Sequence, residues 1–239
     1  SLNSLGFRSY AESLFERMYR RCINQNWKWS YSQLKEQGRM HLQIMNVAND
    51  LFYNNGLQLL PDLDRLTKEY INIPENDELI KNRLVYIPTS TNDKSSSRKV
   101  NIYQAKTVIK VISRIINSYS KLNKKLSPDS IGIITPFRAQ IALIKVELDK
   151  GGIDHSEITI DTVERYQGGA RDIIIMSTVV NTPFQLDALV SENVDGIDRK
   201  LNVAISRARE QFILLGNQDV LEYAEQYSQL IRKCKEVTL

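Results

Sequence analysis

Three short runs are mostly apolar: Ile131-Gly132-Ile133-Ile134-Thr135, Asp172 to Val180, and Phe212-Ile213-Leu214-Leu215-Gly216. A strand with one wet face alternates apolar and polar residues. These do not alternate, so they read as strands buried on both sides. Helical patterns lie between them. Ala105, Val108, Ile109, Ile112, Ile115, Ile116 and Tyr119 form the buried stripe of a helix from about Tyr103 to Lys121. Pro136-Phe137 opens another through Ala139, Ile141, Leu143, Ile144 and Leu148, and Gly151-Gly152 stops it. The alternation predicts an α/β fold, a three-layer sandwich with a mainly parallel sheet. Leu84 to Pro88 and Ile158 to Ile160 add further strands. In such sheets ligands bind at the carboxyl ends of the strands. Thr135, Asp161-Thr162, Gln167-Gly168 and Ser206-Arg207 are expected to line one edge.

At 239 residues, 42% hydrophobic and 25% charged, the chain can bury a sizeable core. The net charge of +4 permits a nucleic-acid or nucleotide partner without demanding one. Cys22 and Cys234 show no ligand spacing, and no metal site is expected. No apolar run approaches the roughly 18 residues of a membrane span, and no signal-peptide pattern opens the chain. The expectation is a cytoplasmic monomer without a membrane partner.

The remaining segments are less regular. Residues 8–20 look helical, with Leu14, Phe15 and Met18 on one side. Trp27 and Trp29 read as packing residues before base-stacking ones. A helix with Leu42, Met45, Ala48 and Phe52 in phase is interrupted by Asn49 and ended by Asn54-Asn55-Gly56. Residues 61–83 are polar and irregular, Thr89 to Lys99 and 181–199 read as loops, and a last helix is expected from about Asp219 to Lys235.

Two features carry charge in a pattern. Leu201 to Arg209 reads as a helix presenting Arg207 and Arg209, then feeding a buried strand. Its guanidinium groups either face water or face a phosphate, for which Arg is the best-suited side chain. Lys106, Lys110 and Arg114 recur at i, i+4, i+8 within a stretch, Lys94 to Leu126, that has no acidic residue. That stripe is either a solvated helix face or a nucleic-acid track.

Four segments taken in order carry a resemblance: Gln37-Gly38-Arg39-Met40-His41, Ile133-Ile134-Thr135-Pro136-Phe137, Thr162-Val163-Glu164-Arg165-Tyr166-Gln167-Gly168, and Leu201 to Arg209. Together they resemble the C-terminal half of superfamily 1B helicases, the nonsense-mediated-decay, Sen-type and Dna-type group. The resemblance runs from Ser13-Leu14-Phe15-Glu16-Arg17 to Asn217. It implies a second RecA-like motor domain over 1–239, with a lead-in segment (1–60) holding motif IV and a sheet core (84–239) holding motifs V and VI. It also implies that Arg39 and Arg207 reach the ATP γ-phosphate as arginine fingers. Gln167 and Gly168 fall on motif V, and Arg209 either lies beside the nucleotide or only braces Arg207 from nearby. Thr135, Pro136, Phe137 and Thr162 would hold a single strand of DNA or RNA by its backbone. Three departures stand out: Gly38 where the family has an aromatic, Leu42 where Pro is frequent, and Ala170 where motif V has Glu.

No G-x-x-x-x-G-K-[ST] occurs. ATP with Mg is therefore expected to be held mainly by a first RecA-like domain upstream, and this chain alone is not expected to hydrolyse ATP. The alternative is an inactive RecA-like module for nucleic-acid binding or scaffolding. A paired-carboxylate nuclease is disfavoured, because Asp149 replaces the Lys its motif needs. His41 and His155 are assigned no chemistry.

Overall fold

The computed structural model describes residues 14–68, 77–89, 99–123, 125–166, 169–193 and 196–239. The chain divides into two compact units, 1–36 and 37–239. In the first, helix α1 (Leu14–Asn24) has no buried residue. Trp27 and Trp29 are not core residues as expected: they are 38% and 83% exposed, with ring centroids 6.3 Å apart. The expected helical residues before Leu14 lie outside the described residues.

The second unit holds a six-stranded sheet: β1 (Leu84–Pro88), β2 (Ile131–Ile134), β3 (Ile158–Asp161), β4 (Arg171–Ser177), β5 (Ala208–Gly216) and β6 (Lys235–Glu236). The spatial order is β3-β2-β4-β5-β1-β6, and every pairing is parallel. The fold class is the expected α/β sandwich.

Strand alternation sorts the two faces. Val85, Ile87, Ile131, Ile133, Ile173, Ile175, Ile213 and Leu215 pack under α3 (Ile102–Lys121) and α4 (Arg138–Lys150). Tyr86, Ile134, Ile174, Met176, Phe212 and Leu214 pack under α2 (Leu42–Ala48), α5 (Arg199–Ser206) and α6 (Glu225–Lys233). On that second face Gly132 leaves the space that Tyr166 fills. A Cβ there would lie 1.9 Å from the Tyr166 hydroxyl oxygen.

Several boundaries differ from expectation for identifiable reasons. α2 ends at Ala48, and residues 49–53 continue as a π-type turn closed by Asn54 at φ +48°. Asn49 is buried there, and its amide pairs with both main-chain groups of Leu57, at 2.9 Å each. A polar residue in an apolar stripe is thus satisfied by imitating a β bridge. β4 stops at Ser177, where the apolar run was expected to continue to Val180. Val179 takes φ +66°, which no strand tolerates. The last helix is broken, Gln218–Leu221 and then Glu225–Lys233, because Ala224 is extended. Within the expected irregular stretches lie a turn of helix, Glu78–Lys81, and another, Leu186–Leu189. Ser90 to Arg98, most of the expected Thr89 loop, lies outside the described residues.

The helix carrying the arginine pair is also shorter than expected. α5 begins at Asp198, whose Oδ1 accepts the Lys200 and Leu201 N–H groups. It ends at Ser206, so Arg207 is its C-cap and Arg209 already belongs to β5. Opposite β4 the register jumps: Arg171 faces Ala208, but Ile173 faces Gln211. β5 therefore carries an extra residue, a bulge at Arg209-Glu210 that re-aims the side chains on it.

Candidate functional site

The expected single edge resolves into two. Thr135 and Thr162 follow the carboxyl ends of β2 and β3. Ser206-Arg207 precedes β5 and so lies at the amino end of the sheet, where the Arg207 carbonyl accepts the Arg171 N–H. β4 spans the gap with seven residues, about 20 Å at 3.3 Å per residue. The reason is connectivity: the first two segments follow their strands, whereas the arginine follows a helix and enters one.

At the amino edge Arg39 and Arg207 converge. Gln37 builds the first of these positions. Its Oε1 accepts the Arg39 and Met40 N–H groups at 2.9 and 2.7 Å, and its Nε2 donates to the Met40 carbonyl at 2.9 Å. The His41 N–H then donates to the Arg209 carbonyl at 2.9 Å, joining this loop to β5. Arg65 donates to the Gly38 and Arg39 carbonyls. Gly38 has a packing reason to lack a side chain, since a Cβ would meet Leu60 Cδ1 at 2.7 Å.

Arg39 Nη1 donates to the Ser206 carbonyl at 3.1 Å, and Arg207 Nη1 to the Gly169 carbonyl at 3.3 Å. Among the described residues the buried Nε of Arg207 has no hydrogen-bond partner. Burial, and then the nearby Arg39 charge, lower the Arg207 pKa. Among the described residues neither arginine pairs with a carboxylate. Two like charges brought together, with no carboxylate pairing either among the described residues, suit an anionic group that bridges them.

Arg209 does not join them. It pairs with Asp172 at 3.3 Å and Asp129 at 3.9 Å. Burial raises the Asp172 pKa, and Arg209 opposes that shift. Of the two roles expected for Arg209, these ion pairs fit the bracing one. Gln167 and Gly168 lie outside the described residues. Ala170 offers only its carbonyl, to Arg171 Nη1 at 2.9 Å.

His41 is a structural residue. Its Nδ1 accepts the Gln43 N–H at 3.2 Å and caps α2, which makes Nε2 the donor to the Lys68 carbonyl at 3.0 Å. Burial, followed by the Arg83 charge, lowers its pKa.

At the carboxyl edge Thr135 is fully buried, its N–H donates to the Asp161 carbonyl, and its Oγ1 has no partner. The Thr162 N–H donates to Asp161 Oδ1 at 2.8 Å. Pro136 and Phe137 are half-buried, and Phe137 is the extended residue before α4. Lys106, Lys110 and Arg114 are exposed on α3, but Arg114 lies 3.8 Å from Asp77.

Behind this edge is a buried polar network absent from the sequence reading. Gln104 Oε1 accepts from Ser177 Oγ at 2.7 Å and from the Val179 N–H at 2.9 Å, while Nε2 donates to Thr89 Oγ1 at 3.0 Å. Gln140 bridges both main-chain groups of Asn101, at 2.8 and 3.0 Å. The network ties the ends of β1 and β4 to the first turns of α3 and α4, and it holds Val179 in its strained conformation. The available signal was a glutamine in phase with an apolar stripe: Gln104 with Val108 and Ile112, Gln140 with Ile144 and Leu148.

Residues 10–219 match the AAA domain family. Over 237 residues the chain is 28% identical to an uncharacterised ATP-dependent helicase of Methanocaldococcus jannaschii, covering 95% of this chain and 32% of that protein. It is 26% identical over 232 residues to helicase sen1 of Schizosaccharomyces pombe, covering 93% and 12%. With the DNA polymerase alpha-associated DNA helicase A of Saccharomyces cerevisiae it shares 29% over 201 residues, covering 79% and 28%. The chain thus spans about a third or less of the length of these relatives.

Proposed function

From a chain that belongs to the AAA domain family and is a superfamily 1B helicase-type C-terminal domain, we infer the second RecA-like half of an ATP-dependent nucleic-acid helicase or translocase. The observation that carries this reading is the convergence of Arg39 and Arg207 on a place where, among the described residues, no carboxylate pairs with them and the buried Arg207 Nε is unpartnered. The residues present fit a phosphate. ATP with Mg, held by a P-loop domain joined to this chain, supplies the phosphoryl group to be transferred.

Each residue then has a physical task. Arg207 and Arg39 would donate N–H groups to phosphate oxygens on which charge develops. Partial burial lowers the local dielectric around Arg207 and strengthens that interaction. Gln37 and Arg65 fix the loop from which Arg39 projects, so little reorganisation is left for the moment of transfer. Thr135, Pro136, Phe137 and Thr162 lie at the opposite edge, where they would hold a single strand through its backbone, and Lys106 and Lys110 would add charge contacts to it. Gln167 and Gly168 retain their proposed motif V role at the nucleotide.

The test uses a protein that joins this chain to a P-loop domain. Arg207→Ala should lower nucleic-acid-stimulated turnover by on the order of 10³ or more, while ATP binding is largely kept. Turnover near the wild-type rate would remove Arg207 from the site. Ala170, in the place of a carboxylate, favours a second reading as an inactive scaffold module. Absence of any turnover in the joined protein, even with Ala170→Glu, would establish that reading over the motor.

A further inference from the structure

One of the concave features outside both clusters borders the carboxyl edge of the sheet. Between α4 and the free edge of β3 runs a cleft of about 340 Å³, lined by Arg138, Ile141, Ala142, Lys145, Ile160, Asp161 and Arg165. Its volume falls within the roughly 300–1,000 Å³ of small-ligand sites. The helix contributes residues at i, i+3, i+4 and i+7, a single face with a cation at each end and an apolar middle. The opposite wall is the carboxyl end of β3 and the turn after it. Arg165 pairs loosely with Asp161 at 3.8 Å. Arg138 and Lys145 are exposed and have no carboxylate partner among the described residues, so the lining carries a net charge of about +2.

The cleft adjoins the proposed strand grip directly: Phe137 precedes Arg138, and Thr162 follows Asp161. We propose that it receives the next nucleotide of the single strand. The two phosphates that flank it lie on Arg138 and Lys145, one at each end of the helix face, and the base lies against Ile141, Ala142 and Ile160 under the Arg165 guanidinium. Cations at the rim with an apolar floor match a nucleotide, which is charged at one end and flat and apolar at the other. This rests on the reading of the carboxyl edge as a nucleic-acid surface and extends it.

The probe is the chain itself titrated with labelled oligothymidylates and oligouridylates of increasing length, at several salt concentrations. Arg138→Glu/Lys145→Glu should weaken binding of longer oligonucleotides roughly tenfold and lower the salt slope by about 1.4, at 0.7 per phosphate contact. The shortest bound oligonucleotide should lose little. Ala142→Trp fills the floor without a charge change; it should weaken the longer oligonucleotides and leave the slope unchanged. Arg232→Glu/Lys235→Glu, elsewhere on the surface, controls for net charge. Equal losses in the control and the cleft variants, or losses independent of length, overturn the cleft alone. Polyglutamate competing as well as oligonucleotide also overturns it, in favour of an acidic protein surface. A wild-type chain that binds no oligonucleotide overturns both the cleft and the nucleic-acid reading beneath it.

Discussion

Gly132 matters through the atom it lacks. Its ideal Cβ would lie 1.9 Å from Tyr166 Oη and 2.9 Å from both Arg171 Cγ and Ile174 Cδ1, so three well-packed neighbours would have to move. Gly132→Ala should cost about 2 kcal/mol or more by overpacking, read as a lower urea midpoint at constant m-value. An unchanged midpoint would mean that Tyr166 is not seated there. Tyr166 is itself buried deeply enough to push its hydroxyl pKa up to about 12, and it follows Thr162 by one helical turn. The residue scale also separates the two arginines that look equivalent in sequence. Spacing does not tell Arg207 from Arg209; the motif resemblance picks out Arg207, and the partners differ in the same way: among the described residues a buried, unpartnered Nε for one and the Asp172 carboxylate for the other.

Element boundaries turn on caps and buried amides. α2 begins where His41 supplies an imidazole acceptor to the Gln43 N–H, and that works only while the ring is neutral. Burial and Arg83 set its folded pKa below the ordinary 6.5. As pH falls through 6.5 the unfolded chain takes up the proton first, so this stability is complete above that value and is lost toward and below the folded pKa. His41→Asn keeps a cap acceptor without the titration. The urea midpoint of wild type should therefore fall more steeply than that of the variant between about pH 7.5 and pH 5. Asp172 and Asp198 shift upward through burial and act in the opposite sense, so the difference between the two proteins isolates His41. Parallel curves would remove the cap from the account of α2. The interruption at Asn49 was legible as an exception in an apolar stripe. Its partner, Leu57, was not, since nothing local announces an amide that imitates a strand.

For the whole molecule the main consequence is the separation of the two ends of the sheet. Arg39 and Arg207 sit at the amino end, Thr135 and Thr162 at the carboxyl end, and the buried Gln104 and Gln140 network underlies the latter. In the proposed motor, nucleotide and strand are read at opposite ends of the sheet of one compact unit, so coupling between them would pass through that sheet. The basic stripe on α3 belongs to this scale. Combined charge reversal at Lys106, Lys110 and Arg114 should weaken single-strand binding and reduce the salt slope by about 1.4, two contacts rather than three. Arg114 is excluded from the count because it already answers Asp77 at 3.8 Å. An unchanged slope would mark the stripe as a solvated helix face.

The sequence by itself determined the layers. Runs such as Ile131 to Ile134 and Ile173 to Met176 have no polar face, which reads as strands covered on both sides, and the helix stripes between them argue for a parallel sheet. The four motif segments were legible too, because each depends on a local string of residue types. The tertiary structure alone decided which segments share an edge. Strand order, the bulge at Arg209-Glu210 and the positive φ of Val179 arise from pairings between residues far apart in the chain. A periodicity of two or of 3.6 reports which face a residue occupies, but it carries no information about which end of the sheet a loop returns to.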